Sequence, residues 1–372
     1  MLPPSTPDLE AIGRQFLIDG RLQQAAPHGS GHINDTFLVV YDSGGKAARF
    51  IHQRLNTHVF RDPVALMGNV ERVLAHLHHR LAPLGEARAA RRALALVPAR
   101  DGRGFVRDAD GSFWRTYTYL EGTRSHDLAA SPRQAFAAAS AYAAFARLLG
   151  DLPAPRLHET LPGFHDTLAR LHALRRAAEN DIVGRTRRVG DEIEACLSRA
   201  RLAATLAERQ AQGALPERIA HNDTKMNNVL FDQDSDEALC VIDLDTVMPG
   251  LAAHDFGDLV RSAANLSPED ATETAAVGVD LPTFEAVARG WIDGSGGELL
   301  PEEIDALVPG ALAITLECAA RFLTDHLEGD LYFRVHREGQ NLDRCRTQLA
   351  LLYSLEANEA ELRRIVEAAA RG

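Results

Sequence analysis

One short stretch, His221-Asn-Asp-Thr-Lys-Met-Asn-Asn228, limits what this chain can fold into more than any other. Two apolar runs follow it, 229–232 and 238–245, and an acidic turn joins them. Apolar runs of this kind on either side of a polar turn predict a β-hairpin. The sequence therefore predicts a polar loop that leads directly into a hairpin.

The acidic and amide residues of this stretch match the needs of phosphoryl transfer. That reaction requires an oriented attacking hydroxyl, a group that accepts its proton and a divalent metal that neutralises phosphate charge. Asp223 is a candidate base, and Asn228 and Asp243 are candidate oxygen ligands for Mg²⁺. Asp and Asn also cap ordinary turns, but the pattern H-x-D-x-x-x-x-N followed by two apolar strands would seldom arise by chance.

Length and charge limit the architecture and the partners. With 372 residues, of which 45% are hydrophobic and 25% charged, the chain is long enough for two lobes, which we place at 1–120 and 121–372. A formal net charge of −12 disfavours a nucleic-acid surface, which needs clustered basic residues. We expect small-molecule partners and no nucleic acid; the sequence gives no indication of oligomeric state.

The cysteines and the N-terminus indicate a reducing compartment. The cysteines are widely spaced and form no C-x-x-C pair, so we expect buried thiols. They are Cys196, Cys240, Cys318 and Cys345. The Ala-rich run 135–149 is too short to cross a bilayer, and the first residues lack a basic region followed by an apolar core. We therefore expect a cytoplasmic protein without a membrane partner.

A glycine-containing loop precedes the first predicted hairpin, which covers 37–55. Glycines let backbone N–H groups approach phosphate oxygens, so Gly31 and the nearby Asn34 are candidate nucleotide contacts. Taken alone, Gly29-Ser-Gly31 would more often be a plain turn, and His32 an exposed loop histidine. Their place in a chain that later carries a phosphotransfer loop favours the nucleotide interpretation.

A helix and further strands complete the predicted N-terminal lobe. Apolar spacing behind an Asp-Pro start predicts a helix from Asp62 to Arg80, on which Glu71 either pairs with a strand cation or is solvated. The runs 94–97, 105–106 and 112–120 add strands. Leu120 and Glu121 then begin a polar connection to helices, where backbone groups could bind adenine. Together these patterns predict an α+β fold with a small sheet lobe and a larger helical lobe.

Lys46 and Lys225 are the only lysines in the chain, and neither falls inside the predicted third strand. Arg54, at the end of that strand, could supply the phosphate-binding cation and pair with Glu71; otherwise backbone and metal hold the phosphates. Lys225, two residues beyond Asp223, is a candidate for stabilising the transferring phosphoryl group. Its other interpretation is an exposed loop lysine.

Several segments together resemble a known family. The loop and hairpin, with Val241-Ile-Asp-Leu-Asp-Thr-Val-Met-Pro-Gly250, are similar to the catalytic and metal segments of the aminoglycoside phosphotransferase and choline kinase superfamily. Three more stretches resemble its N-acetylhexosamine 1-kinases. They are Gly31–Phe37, Gln53–Phe60 and Arg321–Phe333, the last leading into Asn341–Thr347.

The resemblance implies a two-lobed, protein-kinase-like fold and transfer of the ATP γ-phosphate to the anomeric hydroxyl of an N-acetylhexosamine. It implies that Asp223 is the base and also contacts the sugar. It further implies that His32, Arg321 and Tyr332 bind the sugar acceptor. The alternatives are a kinase of the same fold with another acceptor, such as another sugar, an aminoglycoside or an amino alcohol, or a nucleotide-binding pseudoenzyme.

Overall fold

The computed structural model describes residues 7–29 and 33–372, which form a mixed α and β protein. Its helices within those residues are α1 Leu9–Gly13, α2 Pro63–Leu81, α3 Glu86–Ala89, α4 Pro132–Leu148, α5 Thr167–Asn180, α6 Gly190–Leu197, α7 Ala200–Ala211, α8 Ala252–Ala263, α9 Leu281–Ser295, α10 Pro301–Glu328, α11 Gln340–Ala357 and α12 Glu359–Arg371. Its strands are β1 Arg21–Pro27, β2 Asp35–Ser43, β3 Lys46–Arg54, β4 Val106–Arg107, β5 Phe113–Thr118, β6 Thr123–Arg124, β7 Arg218–Ala220, β8 Val229–Asp232, β9 Ala238–Val241 and β10 Met248–Gly250.

The chain divides into two compact units. The first is Met1–Gly122 with His158–Leu161, and the second is Thr123–Leu157 with Pro162–Gly372. The first carries a sheet and the second most of the helices, which confirms the predicted α+β class with a small sheet unit and a larger, mainly helical one.

The first unit is built on an antiparallel sheet with strand order β1-β2-β3-β5-β4. Its inner face packs against α1 and the segment before β4, where Phe16 and Trp114 are fully buried. In the middle of β3, His52 is also fully buried, with Nδ1 2.7 Å from Thr116 Oγ1. Burial lowers the pKa of His52 to about 4, so this core histidine is neutral.

Helix α2 begins where the sequence predicts. The Asp62 side chain accepts a hydrogen bond from the Ala65 backbone N–H at 2.9 Å, and Pro63 occupies the first helical position. Asn69, on its buried face, exchanges two hydrogen bonds with the backbone of His158. That exchange explains why the short segment His158–Leu161 belongs to the first unit.

Two sequence patterns gave an incomplete prediction. Strand β1 was not predicted, because it is an edge strand with six of seven residues exposed and so lacks apolar alternation. The spacing of apolar residues predicts one helix over 341–369, whereas the structure has two, α11 and α12. The break falls at Asn358, whose side-chain amide donates to the Ser354 carbonyl oxygen at 2.8 Å and competes with continued helix.

Helix α10 is the central element of the second unit. By length and composition it could cross a membrane, but 89% of its most apolar window is buried inside the protein. It crosses α8 at two glycines. A Cβ on Gly310 would lie 2.1 Å from the Ala253 carbonyl oxygen, and one on Gly257 would lie 2.4 Å from the Gly310 carbonyl oxygen. Only glycine permits this close approach, which fixes α8 against α10.

Candidate active site

The predicted hairpin forms and brings two candidate metal ligands to one end. Val229 pairs with Val241 across β8 and β9, and the Ile242 backbone N–H donates to the Asn228 carbonyl oxygen at 2.9 Å. Asn228 therefore lies just before β8 and Asp243 just after β9. Asp243 adopts a left-handed backbone conformation, with φ 59° and ψ 63°. A non-glycine residue enters that region at an energetic cost, which is common at functional sites.

The Asp223 carboxylate is held by one partner on each oxygen. Asn228 Nδ2 donates to Oδ2 at 2.9 Å, and Lys225 Nζ lies 3.1 Å from Oδ1. Burial acts to raise the pKa of Asp223, but the Lys225 ammonium, together with His221 and Arg261, more than offsets it, and the pKa is lowered. Asp223 is therefore an oriented, ionised carboxylate, as a base that accepts a hydroxyl proton must be.

Asp255 holds the backbone at the start of the loop. Its two carboxylate oxygens accept hydrogen bonds from the backbone N–H groups of His221 and Asn222, each at 2.7 Å. Its own backbone carbonyl accepts from the Thr224 hydroxyl at 2.5 Å. Burial raises the pKa of Asp255 to about 7, although the two backbone donors act in the opposite direction. Helix α8 thus fixes the conformation of the residues that precede Asp223.

His221 contacts the hairpin side of the loop in one defined tautomer. Its Nε2 lies 2.9 Å from the Ile242 carbonyl oxygen, which can only accept, and its Nδ1 accepts from the Asp223 backbone N–H at 3.3 Å. One ring nitrogen donates and the other accepts, so the ring is neutral. Burial lowers the pKa of His221, in agreement with that assignment. Tyr142, on α4, adds a 2.7 Å hydrogen bond from its hydroxyl to the Lys225 carbonyl oxygen.

A second histidine contacts the same loop from the helical side. His165 Nε2 lies 3.1 Å from the Asn222 carbonyl oxygen, and Nδ1 lies 3.0 Å from Glu317 Oε1. The other oxygen of Glu317 accepts from the Thr167 hydroxyl at 3.0 Å. Glu317, on α10, is fully buried, so this carboxylate is satisfied entirely by protein donors. The chain of contacts runs from α10 to the residue immediately before Asp223.

Arg321, one turn beyond Glu317 on α10, lies close to Tyr332, which follows the helix; both are predicted acceptor contacts. The Arg321 guanidinium carbon is 6.0 Å from the centre of the Tyr332 ring and 5.0 Å from that of Phe164. Its side chain is 16% exposed, whereas the residue Tyr332 is 46% exposed. Asp325 accepts from the Tyr332 backbone N–H at 2.7 Å and so fixes the position of this residue. The cluster combines a cation with aromatic faces, a set that can bind polar hydroxyls and an apolar ring face.

In the first unit the predicted nucleotide contacts have structural partners. Gly31 and His32 lie outside the described residues. Asn34 Oδ1 accepts from the Asn56 backbone N–H at 2.9 Å, and the exposed Glu121 carboxylate pairs with Arg49 on β3. Leu120, half-buried, directly precedes that acid. Their nucleotide roles stay predictions.

The suggested pair between Arg54 and Glu71 is wrong. Arg54 pairs with Asp35, with Nε 2.9 Å from Oδ2, because the β2–β3 register sets these two residues opposite each other. Glu71 instead accepts from the Gly104 backbone N–H at 2.8 Å.

The donor set at the hairpin end fits a magnesium ion. In the part of the chain that the structure describes, no group of three or more His, Cys, Asp or Glu side chains could hold a metal. Asn228 directs its amide nitrogen at Asp223, which leaves the carbonyl oxygen as the atom able to bind a cation. Mg²⁺ commonly takes one or two protein oxygens and completes its shell with water and phosphate oxygens. Asn228 and Asp243 match that requirement.

Three residues of the site were not predicted as functional: Asp255, His165 and Glu317. They contact the loop or each other across 34, 57 and 152 residues of sequence. Asp255 lies in the His254–Arg261 segment, which the sequence marks only as the start of a helix. No local pattern marks His165 or Glu317.

An oriented carboxylate beside a lysine, with two candidate oxygen ligands at one end of the hairpin, is an arrangement that phosphoryl transfer can use. The sequence profile described as "Phosphotransferase enzyme family" matches residues 24–288, and the chain belongs to this family. The predicted superfamily is thereby confirmed at this level.

Solved structures of other proteins share the fold at low sequence identity. An aminoglycoside phosphotransferase from Alicyclobacillus acidocaldarius has a TM-score of 0.59 and 15% identity, covering 99% of this chain and 98% of that one. A spectinomycin phosphotransferase in complex with ADP and spectinomycin has a TM-score of 0.56 and 12% identity, over 95% and 99%. A Plasmodium vivax ethanolamine kinase has a TM-score of 0.52 and 12% identity, over 87% and 82%. These likenesses confirm the predicted kinase-like fold.

Proposed function

We propose that the protein transfers the γ-phosphate of ATP, bound with Mg²⁺, to the anomeric hydroxyl of an N-acetylhexosamine. The observation that carries the phosphotransfer part is the geometry of Asp223, an ionised carboxylate with Asn228 on one oxygen and Lys225 on the other. The spectinomycin phosphotransferase of the same fold was solved with ADP, which supports an adenine nucleotide.

In the proposed reaction the acceptor hydroxyl donates its proton to Asp223 as its oxygen bonds to the γ-phosphorus. The bond from that phosphorus to the β–γ bridging oxygen breaks, and ADP leaves with the electron pair. The Lys225 ammonium, held beside Asp223, stabilises charge on the transferring phosphoryl group. A magnesium ion at Asn228 and Asp243 supplies charge neutralisation of the nucleotide phosphates when it is bound.

The acceptor part rests on the cluster of Arg321, Tyr332 and Phe164. Arg321 can donate to sugar hydroxyls and to an acetamido carbonyl oxygen, and the half-exposed Tyr332 ring can lie on the apolar face of a sugar. A cationic acceptor such as an amino alcohol or aminoglycoside would place like charge near the Arg321 guanidinium, which is energetically unfavourable. This favours a neutral sugar over the acceptors named for the fold relatives.

Acceptor screening with product analysis tests the proposal. Wild-type protein, ATP and Mg²⁺ are incubated with N-acetylglucosamine, N-acetylgalactosamine, glucose, galactose, choline and kanamycin, and ADP release is measured. We expect turnover with the N-acetylhexosamines and a sugar 1-phosphate by phosphorus NMR. Phosphate at the 6-hydroxyl, or turnover on choline or kanamycin alone, would overturn the N-acetylhexosamine assignment.

The Asp223→Asn variant tests the role of the base in the same assay. General-base catalysis typically contributes about 10²–10⁴-fold, so we expect kcat to fall within that range while ATP binding is retained. Asp234→Ala, at an exposed position in the turn between β8 and β9, is the control and should match wild type. Full activity in Asp223→Asn would contradict the proposed mechanism.

A further inference from the structure

The ring of His165 lies between two hydrogen-bond acceptors. Nε2 is 3.1 Å from the backbone carbonyl oxygen of Asn222, and Nδ1 is 3.0 Å from a carboxylate oxygen of Glu317. A backbone carbonyl accepts and cannot donate. A neutral imidazole has one N–H, so it could satisfy only one of these contacts if Glu317 is ionised.

Glu317 is surrounded by donors. The Thr167 hydroxyl donates to Oε2 at 3.0 Å, and the Arg321 guanidinium lies 4.0 Å from Oε1 on the same helix. Burial acts to raise the pKa of Glu317, but the charge and hydrogen bond of His165 hold it at about 2. An ionised Glu317 leaves both contacts of His165 to be filled by N–H groups.

We propose that His165 is a positioning residue held as an imidazolium, which joins the loop that carries Asp223 to the helix that carries Arg321. Its Nε2–H donates to Asn222 and its Nδ1–H donates to Glu317. This bridge sets the distance between the base and the acceptor-binding cluster. The expected effect of this bridge on kcat rests on the proposed function, whereas the charge of the His165 ring does not.

The other titratable groups around His165 are consistent with a charged His165 ring beside a neutral histidine. On α8, the His254 ring centre is 4.9 Å away, and burial lowers the pKa of His254 to about 3, so that ring is neutral. Asp255 and Asp258, also on α8, interact electrostatically with His165, and Asp258 acts to raise the pKa of His165. Burial and the Arg321 guanidinium act to lower the pKa of His165, but Glu317, together with Asp258, more than offsets them and the pKa is raised. Phe164 packs on the ring, with centres 4.7 Å apart.

Nitrogen-15 NMR of histidine-labelled protein tests the charge without any substrate. At pH 7.5 we expect both ring nitrogens of His165 to carry protons, whereas His221 should show one protonated and one bare nitrogen. His165→Gln identifies the resonance by its loss, and Glu317→Gln identifies it by its shift if the first variant does not fold. A bare ring nitrogen on His165 at pH 7.5 would overturn the proposal.

Steady-state kinetics test the positioning role. Small displacements of a reacting group can cost about a hundredfold in rate. We expect His165→Gln to lower kcat by about ten- to a hundredfold while KM for ATP changes by less than about threefold. We also expect Glu317→Gln to cause a similar loss and the double variant to lose little more, because the pair acts as one unit. His172→Gln, an exposed histidine on α5, is the matched control and should match wild type.

The two proposals fail in different ways. Wild-type protein that phosphorylates no acceptor contradicts the proposed function, and the NMR result then still decides the charge of His165. Wild-type turnover together with an undiminished kcat in His165→Gln contradicts the positioning role and leaves the proposed function intact. Additive losses in the double variant would also contradict it.

Discussion

Two histidines, His221 within the loop 221–228 and His165 against it, differ in charge although both side chains are buried. His221 faces one acceptor and one donor, the Ile242 carbonyl oxygen and the Asp223 backbone N–H, so it is neutral. His165 faces two acceptors, the Asn222 carbonyl oxygen and Glu317. Burial alone disfavours the cation at both positions. The comparison teaches that, between two rings that are both buried, the hydrogen-bond partners decide which one carries the charge.

The largest expected effect comes from removing the residue that holds the loop between the two histidines. Asp255→Ala leaves the backbone N–H groups of His221 and Asn222 buried without an acceptor. Each unsatisfied buried group costs about 1–3 kcal/mol, so we expect the free energy of unfolding in urea to fall by about 2–6 kcal/mol. Asp234→Ala should change it by less than about 0.5 kcal/mol. An equally stable Asp255→Ala would show that the loop does not need this anchor.

A smaller effect is expected at Lys225, which lies on the loop between the two histidine contacts and the candidate metal ligand Asn228. Removing one group that stabilises developing charge typically costs about 10²–10³ in kcat, and Lys225 is partly exposed, so we expect about a hundredfold loss in Lys225→Ala. The matched control is Lys46→Ala, which alters the chain's other lysine at an exposed position on β3. An undiminished kcat in Lys225→Ala would contradict a catalytic role and support the alternative interpretation of Lys225 as an exposed loop lysine.

The smallest effect is on the pH dependence of stability, and its sign separates the two histidines. The pKa of His165 is raised in the folded state, so its stabilisation is present below the ordinary histidine pKa and is lost as pH rises through the folded value. The pKa of His221 is lowered by burial, so the unfolded state binds more protons below the ordinary pKa and stability falls as pH falls.

Urea unfolding of wild type, His165→Gln and His221→Gln between pH 5 and pH 9 measures both signs. The stability difference between wild type and His165→Gln should shrink at alkaline pH, whereas the difference for His221→Gln should grow as pH rises from 5. Each slope is at most about 1.4 kcal/mol per pH unit. Asp255 titrates in all three proteins, and because its pKa depends in part on the charge of His165, the comparison uses the sign of each slope. Slopes of the same sign would refute the assignment of opposite charges.

The sequence was sufficient to predict those elements whose residue pattern lies within a short stretch of chain. The loop, the hairpin and α2 were predicted because strand runs, an Asp-Pro start and the spacing of Asp223 and Asn228 are contained in short windows. The roles of those site residues stay predictions until activity is measured. Arg54 was paired with the wrong acid because its partner is set by strand register, which places it opposite Asp35.

The supports of the loop could not be predicted because they depend on tertiary packing. His165 precedes a helix, and Glu317 lies inside the apolar helix α10, where a lone acid gives no indication of its partner. They meet across 152 residues. Asp255 also depends on tertiary packing, although its partners are nearer in sequence. It supports the loop by accepting from two backbone N–H groups, and the sequence does not indicate which N–H groups these are.

The glycine crossing of α8 and α10 extends the site beyond the residues that touch a reactant. Asp255 stands on one of these helices and Glu317 on the other, and the backbones are in contact at Gly257 and Gly310. A methyl group at either glycine would push the helices apart and separate the two supports of the loop. In a library of variants screened for ADP release, we expect these two positions to tolerate as little change as Asp223 itself. The proposed activity thus depends on two residues that have no side chain at all.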